Sequence, residues 1–104
     1  MQEIDARINA SLMKTPQVIV WGTGQLAMKL LSETALKWAQ IVAFVDSNPI
    51  NQGKLINGME ILPPAAISEL PFPILITSLI HEDSIALQIR EMGFQHPLIR
   101  IGQP

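Results

Sequence analysis

The chain has no cysteine, which excludes disulfides and thiolate metal sites and leaves the fold to hold itself by packing alone. Charge is scarce as well. Only 15% of residues are charged, and seven Lys and Arg against nine Asp and Glu give a formal net charge of −2. No basic run exists to track a phosphate backbone, so no nucleic acid is expected as a partner. No apolar run approaches the roughly 20 residues of a membrane helix, so no membrane partner is expected either. The first residues lack the charged start and continuous apolar core of a secretion signal, and a cytoplasmic location is the expectation. No His, Asp and Glu cluster at ligand spacing, and no serine sits on a nucleophile elbow with a matching histidine. Metal-ligating and catalytic residues are therefore both assigned as none.

What the chain does have is apolar material: 48% of its 104 residues are hydrophobic. That length supports one core and is too short for a nucleotide domain plus a substrate domain. A single domain over residues 1–104 is expected, with an amphipathic helix or linker over 1–14 and a nucleotide-binding-like core over 17–102. Ile4, Ile8 and Leu12 recur at four-residue steps beside Glu3, Asp5, Arg7 and Asn9, which predicts a helix over 2–13 that ends at Thr15-Pro16. Residues 18–21 form an apolar strand. Leu26/Leu30 and Ala27/Leu31/Ala35 then predict a helix over 25–37. Residues 41–45 are apolar without alternation, as in a parallel strand covered on both faces. Residues 47–58 read as loop, 59–62 as a short strand and 63–70 as a proline-started helical turn. A buried strand follows over 74–78, then a helix over 82–92 stopped by Gly93, then a closing strand over 98–101. Trp21 and Trp38 are expected as core and rim packing, and His96 has no evident partner.

Strands alternating with helices imply a three-layer α/β sandwich, and right-handed crossovers make the order 3-2-1-4-5 economical for a mainly parallel sheet of about five strands. In such a sheet the connections diverge between the first strand and the fourth, and ligands bind beyond the strand ends at that point. Gly22, Thr23 and Gly24, with Ala27 in place of a third glycine, form a G-x-G-x-x-A turn able to bring backbone N–H groups of the turn and of Gln25 to a phosphate. Asp46 ends the second strand, where a carboxylate can accept hydrogen bonds from a ribose or cap its own turn near Asn48. Thr77, Ser78 and His81 are expected to line the same crevice. Lys54 and Asn57 are within reach of a phosphate or sugar but read more simply as solvated.

In order along the chain, Val20-Trp21-Gly22-Thr23-Gly24, Leu30-Leu31, Ala43-Phe44-Val45-Asp46-Ser47-Asn48-Pro49, Gln52-Gly53-Lys54, Gly58, Pro63-Pro64 and Ile74-Leu75-Ile76-Thr77-Ser78 resemble a Rossmann-like domain. That domain is the C-terminal accessory domain of some bacterial S-adenosylmethionine-dependent methyltransferases, including sugar C-methyltransferases. The resemblance covers about residues 12–102. The outline is also similar to the N-terminal domains of sugar O-acyltransferases and polysaccharide nucleotide-sugar epimerases. It implies a Rossmann-like three-layer sandwich attached to a methyltransferase catalytic domain, fused or separate, that acts on a sugar or nucleotide sugar. The methyl-transfer core itself is missing: Val20 stands where a methyltransferase usually has an acidic residue.

Two functions of different class are expected from these readings. In one, the turn, Asp46, Thr77, Ser78 and His81 bind a nucleotide or nucleotide sugar; a sensor of NAD or adenine nucleotide is a variant of it. In the other, the crevice is empty and the Ile4/Ile8/Leu12 stripe docks on a catalytic partner or, as a homodimer, on its own copy.

Overall fold

The apolar run that ends in Trp21 becomes the centre of a sheet. The structure, a computed structural model, describes residues 1–102. Its elements run α1 (Gln2–Lys14), β1 (Gln17–Trp21), α2 (Gln25–Glu33), β2 (Gln40–Val45), β3 (Leu55–Ile56), β4 (Met59–Leu62), β5 (Ile74–Ile76), α3 (Glu82–Glu91) and β6 (Leu98–Arg100). Two 3-10 turns, Ala35–Trp38 and Pro64–Ile67, complete it. No helix of the described residues is long and apolar enough to cross a membrane.

The six strands lie in the order β3-β4-β2-β1-β5-β6, parallel except for the antiparallel pair β3/β4. This differs from the expected 3-2-1-4-5, because the segment expected as loop adds an edge strand. Asn57 and Gly58, both at positive φ (51° and 81°), turn the chain back so that Leu55 faces Glu60 and Ile56 faces Met59. An Asn-Gly pair suits such a turn because its backbone twist matches that of the strands it joins.

Side chains of the central strands alternate between two cores. Val18, Val20, Phe44, Leu75 and Ile99 pack with Ile8 of α1 and Leu30 of α2, whereas Ile19, Trp21, Val45, Ile74 and Ile76 pack with Ile67, Ala86 and Ile89 from the opposite side. Helices therefore cover both faces, which is why β1, β2 and β5 read as continuous apolar runs rather than alternating ones. Ile8, 1% exposed, belongs to the first core, and the partly buried Ile4 and Leu12 pack against it. The stripe expected to dock on a partner is thus covered by the chain's own sheet.

The helix expected over 25–37 ends at Glu33. Thr34 donates its hydroxyl to the Leu30 carbonyl (2.6 Å) and accepts from Leu36 N–H (3.1 Å), while Ala35 N–H donates to Asp5 Oδ1 (2.7 Å). A buried threonine with these partners stops one helix and starts the next turn. This pins α1 to the end of α2.

At the far edge of the sheet, Glu82 is buried although it stands in the first turn of α3. Its Oε2 accepts from the amides of Ile101 (2.7 Å) and Gly102 (3.0 Å), and its Oε1 faces Arg100 Nε at 3.4 Å. Arg7 of α1 donates to the Ile101 carbonyl (3.1 Å), so the end of β6 is held from both faces. Glu82→Ala leaves the buried Ile101 amide unpaired and is expected to lose about 2–3 kcal/mol in urea unfolding, with Glu82→Gln losing less because it keeps one acceptor. His96 is buried near Phe94 and places Nε2 3.1 Å from the Ile67 carbonyl, the partner its sequence context did not reveal.

Candidate functional site

β1 and β5 are adjacent, and the connections that leave them carry α2 to one face and α3 to the other. The chain therefore parts beyond Trp21 and Ile76. Thr77 N–H bonds to the Trp21 carbonyl (2.9 Å) and Gly22 N–H to the Val45 carbonyl (2.8 Å), so the ladder persists one residue past the strands before it opens. Gly22 then adopts φ +111°, and an added Cβ there would stand 2.3 Å from Thr77 Oγ1. Only glycine fits this approach. Buried Thr77 spends its hydroxyl on the Trp21 and Gly22 carbonyls (3.0 and 3.1 Å), so it closes the floor of the turn.

Asp46 joins this turn to the loop after β2. Its Oδ2 accepts from Thr23 Oγ1 (2.6 Å) and Asn51 Nδ2 (3.1 Å), and its Oδ1 accepts from Asn48 N–H (2.8 Å). The Asp46 carbonyl takes a further bond from Gln52 Nε2 (2.9 Å), and Asn48 Oδ1 accepts from Ile50 N–H (3.0 Å). The turn-capping bond near Asn48 is present, and Thr23 engages the same carboxylate. The sequence does not single out Asn51, and it offers Gln52 only within the motif Gln52-Gly53-Lys54. Amide side chains five and six residues after an aspartate that ends a strand were the available signal.

Gly24 is the N-cap of α2, with nothing within 4 Å of the place a Cβ would occupy. No side chain caps this helix, and its first turn, which begins at exposed Gln25, contains no acidic residue. Neither a capping side chain nor an acidic residue of α2 itself meets the first-turn N–H groups and the positive end of the helix dipole. α3 differs, with Glu82 and Asp83 in its first turn.

Ser78 and His81 belong to the loop between β5 and α3. Ser78 Oγ accepts from His81 N–H (3.1 Å), and exposed His81 is itself the N-cap of α3. Hydrogen bonds join Thr77 to Gly22 and Thr23 to Asp46, and the chain itself joins the two pairs into one constellation. Gly24 and Gln25 follow it in chain, and Ser78 and His81 stand on the neighbouring loop. Lys54 and Asn57 are exposed, and Asn57 serves the β3/β4 turn.

Other hollows lie away from this turn. One of about 380 Å³ runs between Ser68–Pro71 and Gln95–Pro97, ahead of the strand starts.

The family described as C2185-like, N-terminal, has a sequence model that matches residues 14–99, and the chain belongs to that family. No curated protein matches it.

Proposed function

We propose that this C2185-like N-terminal domain is a non-catalytic binding module that holds a nucleotide or nucleotide sugar over its glycine turn. We read its sheet as Rossmann-like, and its setting as the cytoplasmic accessory domain of an S-adenosylmethionine-dependent methyltransferase, fused or separate. The motif series that resembles such accessory domains supports that setting. The N-terminal placement in the family description accords instead with the acyltransferase and epimerase outline, whose domains are N-terminal.

One observation carries the binding reading: the uncapped, acid-free N-terminus of α2 opens where β1 and β5 part, with free space above Gly24. A phosphate there would accept N–H groups of the turn and first helical residues and would complement the helix dipole. Asp46, tied to Thr23, puts a carboxylate beside the turn, which suits a ribose hydroxyl and repels a 2′-phosphate. NAD is therefore the natural alternative ligand. Ser78 and His81 stand on the loop at the other side of the divergence.

Gly24→Asp separates binding from folding. The position tolerates a side chain, and an N-cap aspartate satisfies first-turn N–H groups, so stability should hold or rise by a few tenths of a kcal/mol. The same carboxylate should abolish anion binding. The assay is thermal unfolding against UDP- and dTDP-sugars, NAD, AMP and S-adenosylmethionine. A true ligand at 100 times its Kd stabilises wild type by about 2.7 kcal/mol, or about 10–20 °C for a domain of this size. No shift with wild type, or a shift that survives in Gly24→Asp, sinks the reading.

A second reading has its own observation. Asp46 already accepts three hydrogen bonds through its carboxylate, so the acidic side of the crevice is accounted for by loop architecture alone. A ligand-free scaffold predicts that Asp46→Ala lowers the melting temperature while no member of the panel raises it.

A further inference from the structure

An asparagine side chain is open to attack by the backbone nitrogen of the residue that follows it, provided the carboxamide and that N–H are both free and little bulk stands at the next Cβ. The four asparagines of this chain meet those conditions unequally. Asn9 lies inside α1, where the Ala10 N–H belongs to the helical ladder. Asn48 precedes Pro49, which has no N–H to offer. Asn51 gives its carboxamide to Asp46 (3.1 Å), and the Gln52 N–H after it bonds to the Pro49 carbonyl (3.3 Å). Asn57 is different: it is exposed, Gly58 follows it, and nothing lies within 4 Å of the place a Gly58 Cβ would occupy. Among the described residues no hydrogen bond holds its carboxamide or the Gly58 N–H. The hairpin around it also opens at little cost, because β3 has two residues, pairs with β4 alone and carries exposed Leu55 at the border of the sheet.

We propose that Asn57 is a site of spontaneous deamidation and isomerisation, and that the isomerised product unpairs the β3/β4 hairpin. The Gly58 nitrogen bonds to Asn57 Cγ, the Cγ–Nδ2 bond breaks, and Nδ2 leaves as ammonia with the proton given up by Gly58. Water then opens the resulting five-membered imide. Cleavage between the Gly58 nitrogen and Cγ gives aspartate, and cleavage between that nitrogen and the main-chain carbonyl carbon gives isoaspartate. One water enters and one ammonia departs, with no oxidant and no cofactor. Aspartate preserves the hairpin, since Asp-Gly suits this turn as Asn-Gly does. Isoaspartate does not: it carries the main chain through Cβ and Cγ, one atom longer, so Leu55 no longer meets Glu60 nor Ile56 Met59. Below the tip, Gly53 N–H bonds to the Ile61 carbonyl (2.9 Å) and Ile61 N–H to the Lys54 carbonyl (2.8 Å), which confines the damage to residues 55–60. The glycine turn is untouched, and the modification is independent of any ligand.

Ageing of the folded chain at neutral pH and physiological temperature in heavy-oxygen water, followed by peptide mass spectrometry, tests this. Trypsin cuts after Lys54 and Arg90, which isolates Asn57 as the sole asparagine of its peptide. That peptide should gain the mass of a hydroxyl in place of an amino group, with one heavy oxygen, and separate into aspartate and isoaspartate forms. The peptides with Asn9, Asn48 and Asn51 should stay unconverted over the same interval. Hydrogen exchange of the aged chain should rise across residues 55–60 and nowhere else. Asn57→Gly keeps a Gly-Gly turn of the same kind and should show neither change. A folded chain whose Asn57 stays intact while a denatured sample converts overturns the proposal, because the turn then protects the residue. Conversion of Asn9 or Asn51 at the same pace overturns the assignment to the hairpin. Isoaspartate formation with unchanged exchange overturns the unpairing.

Discussion

Gly22→Ala is expected to lose about 3 kcal/mol or more of stability, from backbone strain and overpacking together. At φ +111° an alanine enters backbone geometry that L side chains rarely adopt, and its methyl would stand 2.3 Å from Thr77 Oγ1. Neither neighbour can yield cheaply. Thr77 is buried and bonded to the Trp21 and Gly22 carbonyls, and Gly22 N–H is bonded to Val45. In a domain of about 100 residues such a loss lowers the melting temperature by about 12–20 °C. Adding Thr77→Ala separates the two causes, because it removes the steric conflict and leaves the strain. Measured against Thr77→Ala alone, which loses the buried hydroxyl's own bonds, Gly22→Ala should then cost only part of its wild-type deficit, and an undiminished cost or none would show that one of the two causes is absent.

Ile8→Asp has the second large effect. If the α1 stripe were a docking face, this substitution would disperse a complex and leave the domain intact. Ile8 instead packs among Val18, Val20, Leu30, Phe44, Leu75 and Ile99, where a carboxylate finds no partner. A buried unpaired charge costs several kcal/mol, about 3–5 or more, and that is most of the stability of a small domain. The expected result is an unfolded chain, or one with α1 released, seen as lost cooperativity in urea and lost near-ultraviolet dichroism. A folded Ile8→Asp variant with a normal melting temperature would contradict the packing of α1.

What was legible in the sequence follows from local rules. The apolar runs at Val18–Trp21 and Ile74–Ile76, the four-residue stripes of α1 and α2, and Gly93 as the stop of α3 all sit in elements that short-range pattern decides. Thr34 was hidden because its effect is a pair of hydrogen bonds, not a change of hydrophobicity: Leu31 and Ala35 continue the helical stripe across the break. The β3/β4 hairpin was concealed in a stretch read as loop, although Asn57-Gly58 flanked by Ile56 and Met59 was a sufficient sign. Glu82 looked like a helix-dipole carboxylate, and its true partners lie some 20 residues away, beyond any periodic signal. At the site, the glycines and Asp46 could be read in sequence. The engagement of Thr23 and Asn51 by that carboxylate could not, because it depends on how two loops fall together.

The small hairpin also bears on how the sheet ends. Without β3, the outer edge of β4 would offer unpaired N–H and C=O groups to any passing chain. β3 covers part of that edge and, with only two residues, presents little ladder in its place. The opposite edge is also short: β6 has three residues, with Arg100 at its end. Both borders are poor templates for another strand, and long exposed edges are what seed aggregation in open sheets. Residues that looked like a connecting loop thus help this sheet to stay finite.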